Sequence, residues 1–181
     1  ASEFDAVEEL RADVRRRLER IARLEQGAQA RARLHELLVN DVEMPLPTGF
    51  VAAQVAEHFE QDHGAGHEDT PEHRVEVEEQ VRASLKSDFI LDAIAEQREI
   101  GVSEEELSVW LVQQAPRYGM APDAFAKALV EAGQVPSALQ EIRRVKALAA
   151  VLADAEVVDE TGSPVDLTAL DELMSSPVGG S

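Results

Sequence analysis

Residues 7 to 40 form a stretch with an unbroken helical pattern, which constrains the fold more than any other part of the sequence. Apolar side chains recur along its first half every three or four positions, at Val7, Leu10, Val14, Leu18, Ile21 and Leu24. Gly27 is the one helix-weakening residue, and a single glycine is tolerated within a helix. A helix of about 34 residues is about 50 Å long. Because a compact domain of this size needs no helix so long, we expect a spine along which other helices lie.

Further along the chain, one helix ends and another begins close to Gly101. Apolar residues recur at helical spacing before this glycine, at Leu85, Phe89, Leu91 and Ile94. After it, Ser103 and Glu106 have the Ser-x-x-Glu spacing of a capping box, which starts a helix. The sequence therefore predicts that Gly101 stops one helix and Ser103 starts the next, with almost no loop between them.

Three long helices are predicted to end in a similar way. The residues that share this spacing are Leu34, Leu38 and Met44, then Ile90, Ile94 and Ile100, and more loosely Leu148, Leu152 and Val158. Short periodic matches also arise by chance, and for the third set that explanation is equally acceptable. Helices that end alike favour a body from which helical hairpins project.

Composition favours an all-α fold. Apolar residues make up 44% of the 181 residues, but aromatic residues only 4%. A core of Ala, Val, Leu and Ile favours helix packing over a β-sandwich, and Gly and Pro fall almost wholly between the periodic segments. Cysteine is absent, which excludes disulfides and suits a reducing compartment such as the cytoplasm. The chain opens with Ala-Ser-Glu-Phe rather than with Met, so we expect a piece of a longer protein.

The charged residues are unevenly distributed along the chain. Residues 1–40 hold eight Arg and eight acidic residues, whereas residues 41–181 hold nine basic and 28 acidic residues. This acidic part repels phosphate backbones, so we expect no nucleic acid partner. One interpretation of the Arg cluster near the N terminus is that it binds RNA or anionic lipid. Asp13 and Arg17 are four residues apart, however, as are Glu19 and Arg23, and this spacing favours a solvated helix face with salt bridges. No apolar run approaches the ~18 residues of a membrane span, so no membrane partner is expected either.

A polar turn between residues 61 and 72 is rich in histidine. Four of the five histidines lie in or beside it, namely His58, His63, His67 and His73. Zinc or nickel is conceivable from the ligand types alone. The spacing matches no structural zinc pattern, so we expect no metal and interpret the turn as the exposed tip of a helical hairpin.

The sequence contains no motif for catalysis or cofactor binding. It lacks Gly-x-Gly-x-x-Gly, Gly-x-x-x-x-Gly-Lys, Gly-x-Ser-x-Gly and His-Glu-x-x-His, since His35-Glu36 has no second histidine. The many carboxylates lie on predicted helix surfaces, where solvation explains them. We therefore expect no catalytic residue and no cofactor. Apolar side chains on helices too few to bury one another indicate a binding function instead.

Six short segments keep an order and spacing found in one known family. In chain order they are Phe4-Asp5-Ala6-Val7-Glu8-Glu9-Leu10-Arg11-Ala12-Asp13-Val14-Arg15, Asp41-Val42-Glu43-Met44-Pro45, Ile100-Gly101-Val102-Ser103, Arg117-Tyr118-Gly119, Arg143-Arg144-Val145-Lys146-Ala147-Leu148 and Val157-Val158-Asp159. Together they resemble the C-terminal domain of bacterial trigger factor, a ribosome-associated folding chaperone. The resemblance covers about residues 3 to 168.

The resemblance implies an elongated all-α body built on the long N-terminal helix, with two projecting helical arms. Residues 1–168 would form a peptide-binding chaperone domain with arms at about 48–98 and 103–155, and residues 169–181 a weakly structured tail. The arms would enclose an apolar cradle for unfolded or nascent polypeptides, used without ATP in the cytoplasm. The family's ribosome-docking signature and its strand-rich prolyl isomerase segment are absent from the sequence. Ribosome contact would thus need the absent N-terminal domain, and we expect no isomerase activity.

Several apolar residues are candidates for contact with a client polypeptide. The predicted peptide-binding residues are Tyr118, Met120, Phe125 and Leu129 in the second arm, and Phe50, Val55, Phe59 and Val81 in the first. The second-arm residues surround the break at Gly119 and Pro122, where neither short helix covers the other, and Met suits varied partners. An equally acceptable interpretation is that they form the arm's own core against Trp110. For the whole chain, the alternative is a non-catalytic helical adaptor with one dedicated protein partner.

Overall fold

The computed structural model describes residues 7–60, 69–165 and Leu167. In this part the chain is all-α, as predicted. In chain order the helices are α1 (Val7–Asp41), α2 (Thr48–Glu60), α3 (Pro71–Gln97), α4 (Glu104–Gln114), a 3₁₀ helix (Ala115–Tyr118), α5 (Pro122–Glu131) and α6 (Val135–Asp154). The predicted tail at 169–181 and most of the histidine-rich turn lie outside the described residues.

The long helix α1 extends over 35 residues, as its periodicity predicts. Its second half packs on α3 and α6, where Leu34 and Leu38 meet the core. His35 Nε2 lies 2.6 Å from the hydroxyl of the buried Ser87, which ties α1 to α3. The long helix thus supports a three-helix body only over its second half.

The core of this body lies where the second halves of α1, α3 and α6 meet. Leu91, Ala95, Ala147 and Leu148 are buried there. Leu34, Leu38, Ile94 and Ile100 pack around them, partly buried. The similar helix ends therefore include the residues by which the three helices contact one another. Small residues such as Ala95 and Ala147 let the helix backbones approach closely.

Charged side chains join α3 to α6 beside this core. Arg144 donates two hydrogen bonds to the carboxylate of Asp92, at 2.8 and 2.7 Å, and lies 2.9 Å from Asp88. The hydrogen bonds to Asp92 raise the pKa of Arg144, whereas burial raises the pKa of Asp88. Arg143 donates to the carbonyl oxygen of Ile100. These contacts fix the rotation of α6 against α3.

The end of α3 differs from the prediction. Glu99, not Gly101, has the left-handed backbone conformation, with φ of 53°. The N–H of Ile100 donates to the carbonyl of Ala95, and the N–H of Glu99 to that of Glu96, which is the pattern of a helix C-terminal cap. The capping box of Ser103 and Glu106 forms as predicted and starts α4. The helix therefore stops three to four residues before the predicted position, at Gln97.

A hairpin of α2 and the first half of α3 has its own small core. Val51, Val55 and Val77 are buried in it, and Leu46, Phe59, Val81 and Leu85 pack around them. The side chain of Thr70 accepts a hydrogen bond from the N–H of His73, and Pro71 is the first residue of α3. We call this hairpin the first arm.

The helices α4 and α5 and the 3₁₀ helix between them form a second projecting unit, which we call the second arm. The α-helix that Ser103 starts does not extend to the break at Gly119, because α4 ends at Gln114 and the 3₁₀ helix follows. Pro116 explains this end, since proline has no N–H to continue the α-helical pattern. Gly119 then has a φ of 65°, which glycine adopts without strain.

The second arm is fastened to the body by Glu106. Its carboxylate accepts hydrogen bonds from Lys146 Nζ at 2.6 Å and from the N–H of Ser103 at 2.7 Å. These bonds hold the pKa of Glu106 below its ordinary value of 4.5. Lys146 also donates to the carbonyl oxygen of Gly101. One carboxylate therefore links the start of α4 to α6.

We expect Glu106→Gln to reduce the loss of folding stability at acidic pH. The pKa of Glu106 is depressed in the folded state. Its carboxylate therefore contributes to folding stability at pH values above its ordinary pKa, and this contribution is lost as the pH falls through the folded-state pKa. The wild-type unfolding free energy should fall below pH 4.5 by about 0.5 kcal/mol more than that of the variant. Urea unfolding at several pH values measures this. Glu105→Gln on the same turn is the control, and equal slopes for the two variants would contradict the prediction.

Candidate functional site

Three aromatic rings form a stack inside the second arm. The Tyr118 ring lies 4.9 Å from the Phe125 ring, and Phe125 lies 6.0 Å from Trp110, centroid to centroid. Phe125 is buried, at 6% exposure. The structure therefore places the predicted site residue Phe125 in the arm's own core, where it supports Tyr118.

The break between the 3₁₀ helix and α5 presents apolar side chains to solvent. Tyr118 is 64% exposed and Met120 is 45% exposed. The N–H of Met120 donates to the carbonyl oxygen of Ala115, so the turn that carries both side chains is closed by backbone hydrogen bonding. Leu129 is only half-buried. Of the four predicted second-arm residues, Tyr118 and Met120 are thus the most accessible.

A groove of about 620 Å³ separates the second arm from α6 and α1. Val109, Trp110, Ile142 and Val145 give it an apolar lining, while Glu105, Glu106, Gln113, Gln114 and Glu141 add polar groups. The indole N–H of Trp110 is buried and has no hydrogen-bond partner among the described residues. Burial lowers the pKa of Arg31, which also lines the groove. The lining of the groove is thus partly apolar and partly polar.

The predicted first-arm residues divide into core and surface. Val55 is buried, and Phe59 and Val81 are half-buried in the hairpin core. Phe50 is 50% exposed and is the one most available to a partner among these four. The spacing of apolar residues did not distinguish buried from exposed positions, because α2 buries only part of its apolar face.

Histidine rings pack around Phe59 near the end of the first arm. The rings of His58 and His73 lie 5.8 Å apart, and Phe59 is 5.3 Å from His73. The guanidinium of Arg74 lies over the Phe59 ring at 4.8 Å. Among the residues that the structure describes, no three His, Asp or Glu side chains converge as a metal site. His63 and His67 lie outside the described residues.

His35 and Ser87 are the pair that most resembles catalytic groups, at 2.6 Å. They border a groove of about 450 Å³ between α1 and α3. Ser87 lies in the interior of α3, where backbone N–H groups are used in helix hydrogen bonds. Its own helix therefore provides no oxyanion hole, which acyl transfer needs. We interpret the contact as a structural link between the two helices.

Sequence reasoning overlooked several exposed apolar residues of the arms. They are Val75 on the first arm and Val112 and Val130 on the second. Val75 lies between Arg74 and Glu76, whereas Val112 and Val130 directly follow Leu111 and Leu129. Spacing along the chain therefore did not mark these residues as exposed. Within the residues that the structure describes, no helix has the length and apolar character to cross a bilayer.

Comparison with known proteins supports the sequence resemblance. The chain matches the family described as "Bacterial trigger factor protein (TF) C-terminus" over residues 6–153. It is 45% identical over 170 residues to trigger factor from Arthrobacter sp. (strain FB24), an alignment that covers 93% of this chain and 36% of the relative. Trigger factor from Kineococcus radiotolerans is also 45% identical over 170 residues, with 94% and 36% covered. The chain thus spans about a third of the length of these relatives.

A solved structure of trigger factor domains from Thermotoga maritima has a similar fold. Its TM-score is 0.59 at 24% identity, and the alignment covers 85% of this chain and 98% of that chain. The family match extends over most of the chain, and the solved structure shares the helical architecture. The chain therefore belongs to the family of bacterial trigger factor C-terminal domains.

Proposed function

We propose that this chain is an ATP-independent chaperone domain that binds unfolded or nascent polypeptides in the cytoplasm. The client surface comprises the exposed apolar residues of the two arms, with Tyr118 and Met120 as the principal contacts and Phe50 as a first-arm contact. Residues 1–168 form this domain, and its two arms lie within residues 48–98 and 103–155. Family membership supports the proposal, and the exposure of Tyr118 on a buried ring carries it.

The accessible ring of Tyr118 is held in place before a client binds. Tyr118 stacks on the buried Phe125, so its position is fixed although most of its surface is open. A side chain that is ordered beforehand loses less conformational entropy on binding. Met120 beside it is flexible and polarizable, and therefore adapts to clients of different shape. This combination suits weak binding of many sequences.

Affinity for an unfolded chain arises from several weak contacts. Burial of one Leu or Phe of a client is worth ~1.5 to 3 kcal/mol before ordering costs, so a single pocket binds poorly. Contacts on both arms that engage one chain raise the affinity by ~10² to 10⁴ through effective concentration. The net charge of −19 keeps a protein with exposed apolar residues in solution.

We expect the chain to suppress aggregation of several unrelated denatured proteins without ATP. Exposed apolar residues on the arms would cover client surfaces that otherwise associate. Light scattering of a diluted denatured client, with and without a molar excess of the chain, measures the effect. An equal mass of an inert helical protein is the control.

Equal scattering with and without the chain, across several clients, would contradict the chaperone proposal. Suppression with one client alone would instead favour the adaptor, which binds a single dedicated partner. Tight binding of one protein and no measurable binding of unrelated unfolded chains would have the same meaning.

A further inference from the structure

A groove of about 650 Å³ lies where the chain leaves the three-helix body. It is bordered by α1, by the end of α6 and by the residues that follow α6. Its apolar lining residues are Leu34, Leu37, Leu152, Val157, Val158 and Val165. Leu37 is 41% exposed and Val158 is 48% exposed, so much of this apolar surface is open. None of the lining residues belongs to the proposed client surface on the arms.

Residues 157–165 form a hairpin that brings the chain back to this groove. The N–H of Asp159 donates to the carbonyl oxygen of Ser163 at 2.8 Å, and the N–H of Val165 donates to that of Val157 at 3.0 Å. The carboxylate of Asp159 also accepts hydrogen bonds from the N–H groups of Thr161 and Ser163. The hairpin therefore holds Val165 in the wall of the groove, and the chain continues from that point.

The segment that follows, residues 166–174, has the sequence pattern of a short amphipathic helix. Its large apolar residues, which share one face at helical spacing, are Leu167, Leu170, Leu173 and Met174. At 100° per residue they lie within an arc of about 120°, and a face of this width is typical of a helix that packs on a core. Asp171 and Glu172 lie outside the arc, and Asp166 precedes it at the position of an N-cap. Of this segment the structure describes Leu167, which is half-buried.

The groove and the segment match in length. The lining residues on α1 extend from Gln26 to Leu37, which corresponds to about 16 Å of helix. Residues 167–174 would form about 12 Å of helix. A helix this short is not stable alone in water, so the segment can become helical only against an apolar surface. Because Val165 already lines the groove, the segment is tethered beside it at a high effective concentration.

We propose that residues 166–174 of this chain dock in the groove as a short helix, in which Leu170 and Leu173 cover Leu37 and Val158. The occupant is thus a part of the chain itself and not a separate protein. Docking would add a fourth helix to the body and would keep client polypeptides out of this groove. The inference does not depend on the client surface of the arms.

Hydrogen exchange of the full 181-residue chain tests the proposal directly. We expect the amide hydrogens of residues 170–174 to exchange at least about tenfold more slowly than in a synthetic peptide of residues 166–181. Leu37→Ser places a hydroxyl in the groove and should return the exchange to the rate of the peptide. Val158→Ser should do the same, and it replaces Leu37→Ser if that variant is unfolded. Val130→Ser alters an exposed apolar residue of α5 outside the groove and should leave the exchange unchanged.

A double-mutant cycle measures whether the groove and the segment act through one contact. Leu170→Ser/Leu173→Ser should lower the urea midpoint of the wild-type chain. In the Leu37→Ser background it should cause less than about half of that shift, because the contact is already lost. In the Val130→Ser background the shift should be unchanged. Val178→Ser, which lies beyond the segment, is the matched control and should not alter the midpoint.

Three results would overturn the proposal. The first is exchange of residues 170–174 in the wild-type chain at the rate of the free peptide. The second is slow exchange that neither groove variant changes, since the segment would then pack elsewhere, and additive shifts in the cycle would have the same meaning. The third is slow exchange that is lost on dilution, since a second copy of the chain would then supply the groove.

Discussion

Leu148→Ala should destabilise the body by about 2 to 5 kcal/mol. Leu148 is 5% exposed and belongs to the core that joins α1, α3 and α6. Truncation removes buried methyl groups and leaves a cavity that three crossing helices cannot easily close. Urea unfolding should show a lower midpoint with little change in slope, because the surface exposed on unfolding is nearly the same.

Leu18→Ala is the matched control for this prediction. It makes the same chemical change on α1, but Leu18 is 60% exposed. Surface changes of this kind stay within about 0.5 kcal/mol. Similar losses of stability in the two variants would mean that the three helices do not share a core at Leu148.

Tyr118→Ser/Met120→Ser should weaken binding of unfolded clients about tenfold, with little loss of stability. A buried apolar side chain contributes ~1.5 to 3 kcal/mol, and 1.4 kcal/mol corresponds to a factor of ten in affinity. The unfolding free energy should fall by about 1 kcal/mol, since the Tyr118 ring gives up its stacking on Phe125. Isothermal titration with a permanently unfolded client measures the affinity.

Phe125→Ala gives the contrasting result. Phe125 is buried between Tyr118 and Trp110, so its loss should cost about 3 to 5 kcal/mol. Phe125→Ala should also weaken client binding, but it should destabilise the second arm at the same time. A stability loss in the Tyr118 and Met120 variant as large as that in Phe125→Ala would show that these two residues are core rather than surface.

The elements with strong local signals were predictable from the sequence. The length of α1, the cap at Thr70-Pro71 and the capping box at Ser103 each depend on residues within a few positions of one another. The end of α3 was not, because the left-handed position is held by Glu99, a residue type that rarely adopts it. Glycine is the usual signal, and Gly101 lies two residues too late.

Only the structure shows which apolar residues belong to the core and which lie on the surface. Phe125 and Tyr118 are both aromatic and lie on either side of one turn, yet one is buried and the other exposed. Which of them faces inward depends on where α4 and Trp110 lie, and spacing along the chain does not contain that information. For the same reason, Val55 could not be distinguished from Phe50 within α2.

The polar contacts between helices could not be predicted from the sequence either. Arg144 reaches Asp92 across 52 positions, and His35 reaches Ser87 across 52. Such pairs form only when helix packing brings two faces together. The salt bridges predicted within α1 used local spacing, and only the one between Asp13 and Arg17 formed.

The most direct test of the proposed client surface is a titration of several unrelated unfolded proteins into the wild-type chain and into Tyr118→Ser/Met120→Ser. We predict weak, similar affinities of the wild type for all clients, and a comparable reduction for each of them in the variant. Both proteins should unfold at nearly the same temperature. Unchanged affinity in a variant that remains folded, or binding restricted to one protein, would contradict it.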